Sequence, residues 1–173
     1  MPADVEGYRE YVAARLDQLR RTAYLLCGDW HTADDLVSTA LVKLLRHWHR
    51  VSRMENPDAY ARRILLRAWL DERRRPWRRE HAWEIVPDRP AGGAGPDEVP
   101  DRLALLALLA ELPPKRRAVL VLRYFCDLSV EETARELGCT EGTVKSQTAR
   151  AIATLRARLA AQTVVIEEAL SNG

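Results

Sequence analysis

The chain has 173 residues, 30% charged and 47% hydrophobic, with a net charge of +2: enough for one or two domains with cores of their own, and no run near the ~20 apolar residues of a membrane span. Acidic Asp4 and Glu6 replace the apolar stretch of a signal peptide, so a soluble cytoplasmic protein without membrane insertion is expected. Cys27, Cys126 and Cys139 are too few and too far apart for a disulfide framework or metal site, and the eight glycines form no phosphate loop or nucleophile elbow, so we expect buried thiols, no metal, no cofactor and no catalytic residue.

Residues 1–80 carry 16 Lys and Arg against 12 Asp and Glu, a net +4. Their apolar positions recur at helical spacing, and no stretch alternates long enough to be a strand. A first helix is expected over about 7–27, with Tyr11, Leu16, Leu19, Ala23 and Leu26 inward and Cys27-Gly28 at its end. Thr32 then reads as the cap of a second helix, with Asp34 and Asp35 in its first turn. Leu36, Val37, Ala40, Leu41, Leu44, Leu45 and Trp48 make one helical face, leaving Asp34, Asp35, Ser38, Lys43 and Arg46 on the other.

Asn56-Pro57-Asp58 is a cap, a first-turn proline and an acid, and it opens a third helix. The 100° repeat sets Ala61, Ile64, Leu65 and Ala68 inward. The opposite side collects Arg62, Arg63, Leu66, Arg67, Leu70, Arg73 and Arg74, with Trp69 at the border and Arg75, Trp77, Arg78 and Arg79 beyond. A solvated face usually mixes signs for pairing, but here only Asp71 and Glu72 stand against eight arginines. Guanidinium forks suit phosphates, and interleaved apolar and aromatic groups suit unpaired bases.

Residues 81–111 hold 2 basic residues against 6 acids. Within them and just before the next helix, PDRPAGGAGPDEVPD (87–101) has four prolines, three glycines and four acids. Such a stretch cannot bury a core and reads as a flexible acidic linker reaching at most ~50 Å. From residue 103 helicity resumes in RLALLALLAEL, stops at LPP and re-enters through Pro113-Pro114 into KRRAVLVLRYF.

Ser129-Val130-Glu131-Glu132 is a capping box opening a short helix, about 130–137. Ala134, Gly138 and Val144 follow at helix-turn-helix spacing, and Thr140 caps the second helix. Val144, Ile152, Leu155 and Leu159 are its expected inward stripe; Glu141, Lys145, Ser146, Ala149 and Arg150 point outward, where a recognition helix meets bases and phosphates. The tail QTVVIEEALSNG either adds a last helical turn or frays. The resulting fold class is all-α, two small helical domains joined by a flexible acidic linker: 1–80, linker 81–102, helix-turn-helix domain 103–160, tail 161–173.

These residues resemble the extracytoplasmic-function sigma factors, the small two-domain group of the sigma-70 family, from about Tyr8 to Leu159. LPPKRRAVLVLRYFCDLSVEETARELGCTEGTVKSQ is similar to the fourth region of the actinobacterial SigE-like subgroup. ADDLVSTALVKLL and NPDAYARRILLRAWLDERRR resemble the second region. The resemblance implies a transcription-initiation factor whose partners are the RNA polymerase core, through its β′ clamp helices and β flap, and promoter DNA, with an anti-sigma factor as a further candidate partner. By position, Asp34, Asp35, Ser38 and Lys43 would face the clamp, and Arg62, Arg63, Arg67 and Trp69, extended by Arg73 and Arg74, the −10 DNA. Lys145, Ser146, Gln147 and Arg150, joined by outward Glu141, would serve the −35 duplex, and the acidic linker looks like a mimic of nascent RNA. Two departures stand out: Ser38-Thr39 replaces the Gln-acid pair of many members, and Arg67 replaces a common asparagine.

Two other readings fit less well. A LuxR-like regulator shares the helix-turn-helix but has no need of the arginine-leucine helix. An enzyme built on His31, His47 and His49 lacks any recognised ligand spacing.

Overall fold

A computed structural model describes residues 4–74 and 100–171, and every described element is helical. The chain divides into two compact units between Pro100 and Asp101. The expected linker and the basic run Arg75, Trp77, Arg78 and Arg79 lie largely outside the described residues.

The first unit is three helices, α1 (Val5–Cys27), α2 (Trp30–Val51) and α3 (Pro57–Arg74). Asp4 caps α1, its carboxylate accepting the Gly7 N–H at 2.9 Å. Gly28 ends α1 at φ 79°, a left-handed position that costs glycine no Cβ clash, and donates to the Tyr24 carbonyl at 2.7 Å. That leaves Asp29 alone between the helices, and it, not Thr32, caps α2: the Asp29 carboxylate accepts the Thr32 N–H at 2.8 Å. Burial works to raise the Asp29 carboxyl, but the Thr32 N–H and hydroxyl and the His31 N–H outweigh it, so the group ionises below its ordinary range.

Leu19, Ala23, Leu26, Leu36, Val37, Ala40, Leu44 and Trp48 are buried, which is most of the expected core. Leu45 departs from it, 40% exposed with Val42 at 54%. Both lie on the side of α2 that turns away from α1 and α3. Tyr8 and Tyr11 cover Trp48 at ring-centroid distances of 5.7 and 5.1 Å. The Tyr8 hydroxyl donates to the Leu41 carbonyl and the Tyr11 hydroxyl to Asp58 Oδ1, both at 2.9 Å. Arg15 also holds Asp58, and Asn56 Oδ1 accepts the Ala59 N–H at 3.0 Å, so the entry of α3 is capped locally and tied to α1.

The second unit contains α4 (Pro100–Glu111), α5 (Pro114–Leu120), a wide π turn (Val121–Phe125), α6 (Val130–Leu137) and α7 (Glu141–Ser171). Helix α4 starts three residues before the expected 103, inside the stretch read as linker, with proline at its first position. Arg117, 4% exposed, donates from Nη2 to the Ala110 and Leu112 carbonyls at 2.7 and 3.2 Å. A buried cation thereby closes the end of α4, where free carbonyls favour positive charge. The π turn replaces the expected continuation of α5 and leaves Tyr124 and Phe125 63% and 45% exposed. Asp127 follows at φ 55°.

The capping box forms as read: Ser129 Oγ accepts the Glu132 N–H at 3.0 Å and Glu132 returns the contact to the Ser129 N–H at 2.8 Å. Gly138 turns left-handed at φ 65°, and Thr140 Oγ1 accepts the Thr143 N–H at 3.1 Å. Val119, Ala134 and Val144 form one buried cluster, with Cys139 packed against it. Helix α7 runs for 31 residues, ~46 Å at 1.5 Å per residue, and so takes in most of the tail. Ala151 joins Val144 in the core at 0% exposure, whereas Leu159 is 50% exposed. The reason is that α5 and α6 cover only the first half of α7. All three cysteines are free and half-buried rather than buried. Burial is the main cause that pushes the Cys27 thiol up to about 11, where it stays protonated and unreactive.

Candidate nucleic-acid interfaces

The second unit presents its polar surface on α7. With α6 capped at one end and turned at Gly138, Val144 at 0% exposure fixes the rotation of α7 about its axis. At 100° per residue Lys145, Ala149, Ser146 and Arg150 then sweep the side away from Val144, Glu141 lies at its near edge about 60° from Val144, and all five are exposed. Ser146 Oγ donates to the Thr143 carbonyl at 3.1 Å, which leaves its oxygen free to accept. Gln147 does not join this face. It is half-buried, and its Oε1 accepts from Arg116 Nε at 3.2 Å, so it bonds toward α5. The reading from sequence missed Arg116, because nothing in a linear pattern couples residues 31 apart.

The basic face of α3 is narrower than its sequence suggests. Leu66 and Trp69 are each 2% exposed, which takes both out of the arginine face. Trp69 therefore offers no open ring to a base; Arg73 lies 5.5 Å from its ring centroid. Arg62 turns toward α1, in a small cavity with Tyr11, Arg15, Gln18 and Asp58. The physical reason is that both α1 and α2 pack on α3, so its buried arc spans roughly 160° where one partner helix would need ~100°. Arg63, Arg67, Leu70 and Arg74 remain within roughly 60° of arc, Arg67 and Arg74 exposed, Arg63 and Leu70 half-buried. The Arg63 Nε is itself buried, with no hydrogen-bond partner among the described residues.

On α2, Asp34, Asp35, Ser38 and Lys43 are all exposed. Arg20 grips Asp34 with a two-point fork, Nε to Oδ1 at 2.6 Å and Nη2 to Oδ2 at 3.3 Å. Asp35 and Lys43 line a groove of ≈ 200 Å³ together with Thr39 and, from α3, Asp71 and Glu72. Val42 and Leu45 stand exposed beside Ser38 at helical spacing. An apolar pair within a polar rim is the composition of a protein-binding patch rather than a phosphate-binding one. The sequence held a signal for it: α2 has more apolar positions than one inward stripe can use. Among the described residues, no group of three or more His, Cys, Asp or Glu could hold a metal ion, and no helix is long and apolar enough to cross a membrane.

The family described as Sigma-70 region 2 matches residues 11–79, and that described as Sigma-70, region 4 matches residues 102–155. The chain is 39% identical to the RNA polymerase sigma-E factor of Streptomyces avermitilis over 160 residues, covering 90% of this chain and 87% of that protein. It is 38% identical to the sigma-E factor of Streptomyces coelicolor over 159 residues, covering 92% and 89%. Among solved structures it is similar to the sigma factor RpoE of Bartonella quintana in complex with the anti-sigma factor NepR. The TM-score is 0.75 at 23% identity, over 89% of this chain and 97% of that one, a likeness of fold.

Proposed function

Since the chain belongs to the extracytoplasmic-function group of the sigma-70 family, we propose that it brings RNA polymerase to promoters through two separate DNA contacts, one on each unit. A sigma factor performs no catalysis, so the contribution of the chain is binding free energy directed to chosen DNA. In the proposed arrangement α7 enters the major groove of the −35 duplex. There Lys145 and Arg150 donate to phosphate or guanine, Glu141 accepts from cytosine N4, and Ser146 serves either. Gln147 acts from the flank, through its bond to Arg116.

The α3 face, Arg63, Arg67 and Arg74 with Leu70, holds the −10 DNA. Arg73 lies at its edge, and Arg62 and Trp69 support it from behind. Melting then needs no reacting side chain: a surface that binds separated strands better than duplex populates the open state by that difference alone. Asp34, Asp35, Ser38 and Lys43, with Val42 and Leu45, form the face for the polymerase clamp helices, and the second unit meets the β flap. An anti-sigma factor is the expected regulator, supported by the solved complex of a protein of like fold with one.

The observation that carries this reading is the construction of α6 and α7. A capping box, a left-handed Gly138 and a fully buried Val144 fix one side of α7, and the exposed Lys145, Ser146, Ala149 and Arg150 occupy the other, with Glu141 at its near edge. In vitro transcription with purified core polymerase tests it. The chain should start transcripts on promoters carrying both elements. Lys145→Ala with Arg150→Ala should cut that output at least tenfold, each lost base or phosphate contact being worth ~1–3 kcal/mol, while polymerase binding stays intact. Undiminished transcription by the double variant would remove α7 as the reading helix.

A further inference from the structure

The corner between α1 and α2 holds a chain of four side chains that the DNA contacts do not use. Tyr24 and Trp30 stack with ring centroids 4.0 Å apart and planes 4° from parallel. The Arg20 guanidinium lies 5.3 Å from the Trp30 ring centroid, and the same guanidinium forks onto both oxygens of Asp34. The Arg20 and Asp34 side chains are 39% and 50% exposed. An ion pair so open to water adds only modestly to stability even when two-pointed, so stability alone is a weak account of the arrangement. The arrangement sets two donors of one guanidinium on one carboxylate, with the guanidinium backed by the Trp30 ring.

An exposed helical aspartate free of partners samples several rotamers, and ordering it on binding weakens the complex. A carboxylate offers about four lone-pair sites, and the fork uses one on each oxygen, leaving the outer pair for a second donor. We propose that Arg20, clamped against Trp30, is a positioning residue of the polymerase-binding face that holds Asp34 ready for a donor on the polymerase. The inference rests on the assignment of Asp34 to that face. Arg20 also offsets the charge of Asp34. Between exposed groups that cost is reduced by the high dielectric of water and is set against the gain in order at the contact.

The test is the affinity of the full chain for core RNA polymerase, by fluorescence anisotropy, for wild type, Arg20→Ala, Arg20→Lys, Asp34→Asn and the Arg20→Ala/Asp34→Asn double variant. Arg20→Ala and Asp34→Asn should each weaken binding about fivefold, and the double variant no further than Asp34→Asn alone. Arg20→Lys should recover less than half of the loss, because an ammonium cannot form the fork. Thermal unfolding midpoints should coincide. The dependence of the Arg20 effect on Asp34 is the deciding readout, since a general structural loss would persist without the aspartate. Weaker binding by Asp34→Asn with wild-type binding by Arg20→Ala would overturn the positioning role alone, as would tighter binding by Arg20→Ala. No effect of Asp34→Asn would overturn the assignment of Asp34 to the face, and this inference with it.

Discussion

Asp29 does the work that the sequence pattern assigns to Thr32. Both are good cap residues, but Gly28 turns left-handed and ends α1 with a single residue to spare, so only Asp29 sits where the free N–H groups of α2 point. Removing it as Asp29→Ala should lower the unfolding free energy by ~1 kcal/mol in urea titrations. The sign with pH follows from its lowered folded value. The carboxylate stabilises fully above its ordinary pKa of 3.8 and loses that contribution as the pH falls through the lower folded value. Asp29→Asn should therefore show a flatter acid limb than wild type, and superimposable acid limbs would contradict the cap. Trp69 is a second correction at this scale. On a helical wheel it sits at the border of two faces, and the wheel cannot say how many neighbours the helix has.

Helices as elements were mostly legible. The ends of α1, α3 and α6 come from local chemistry, Gly28, Asn56-Pro57 and Ser129 with Glu132, which acts within four residues and needs no tertiary partner. The π turn and the length of α7 were not legible. Past Leu155 helix propensity and one ion pair, Arg158 Nε to Glu111 Oε2 of α4 at 2.8 Å, keep α7 going, and the last residues contain no glycine or proline before Ser171. The apolar stripe read through Leu159 stops being a core stripe where α5 and α6 run out. Deleting residues 161–173 from the full chain should thus leave the unfolding free energy within ~0.5 kcal/mol of wild type while lowering the helical circular dichroism signal. A loss of 2 kcal/mol or more would show that the end of α7 packs on something.

For the whole molecule, two units with separate cores share one chain, and each exposes only a few cationic groups on the face proposed to meet DNA. Phosphate contacts in that number hold DNA weakly at physiological salt. Covalent linkage makes the second contact intramolecular once the first has formed, which raises affinity without any new interaction. Supplying residues 1–80 and 100–173 as separate polypeptides with core polymerase should accordingly lower transcription from two-element promoters about a hundredfold at equal concentration. Equal output from the separated units would show that the polymerase alone aligns them.

The sequence by itself determined the number and class of the units, the composition of the acidic stretch between them, the caps of α3 and α6, the turns at Gly28 and Gly138, and the outward side of α7. Each depends on neighbours within a turn or two, or on a periodicity that survives any packing. Tertiary structure decided which residues of those faces are open. It buried Leu66 and Trp69 beneath α3, turned Arg62 toward Asp58 and Gln147 toward Arg116, exposed Val42 and Leu45, and paired Asp34 with Arg20. A helix's own sequence fixes the order of side chains around it. The width of its buried arc depends on how many other helices lie against it.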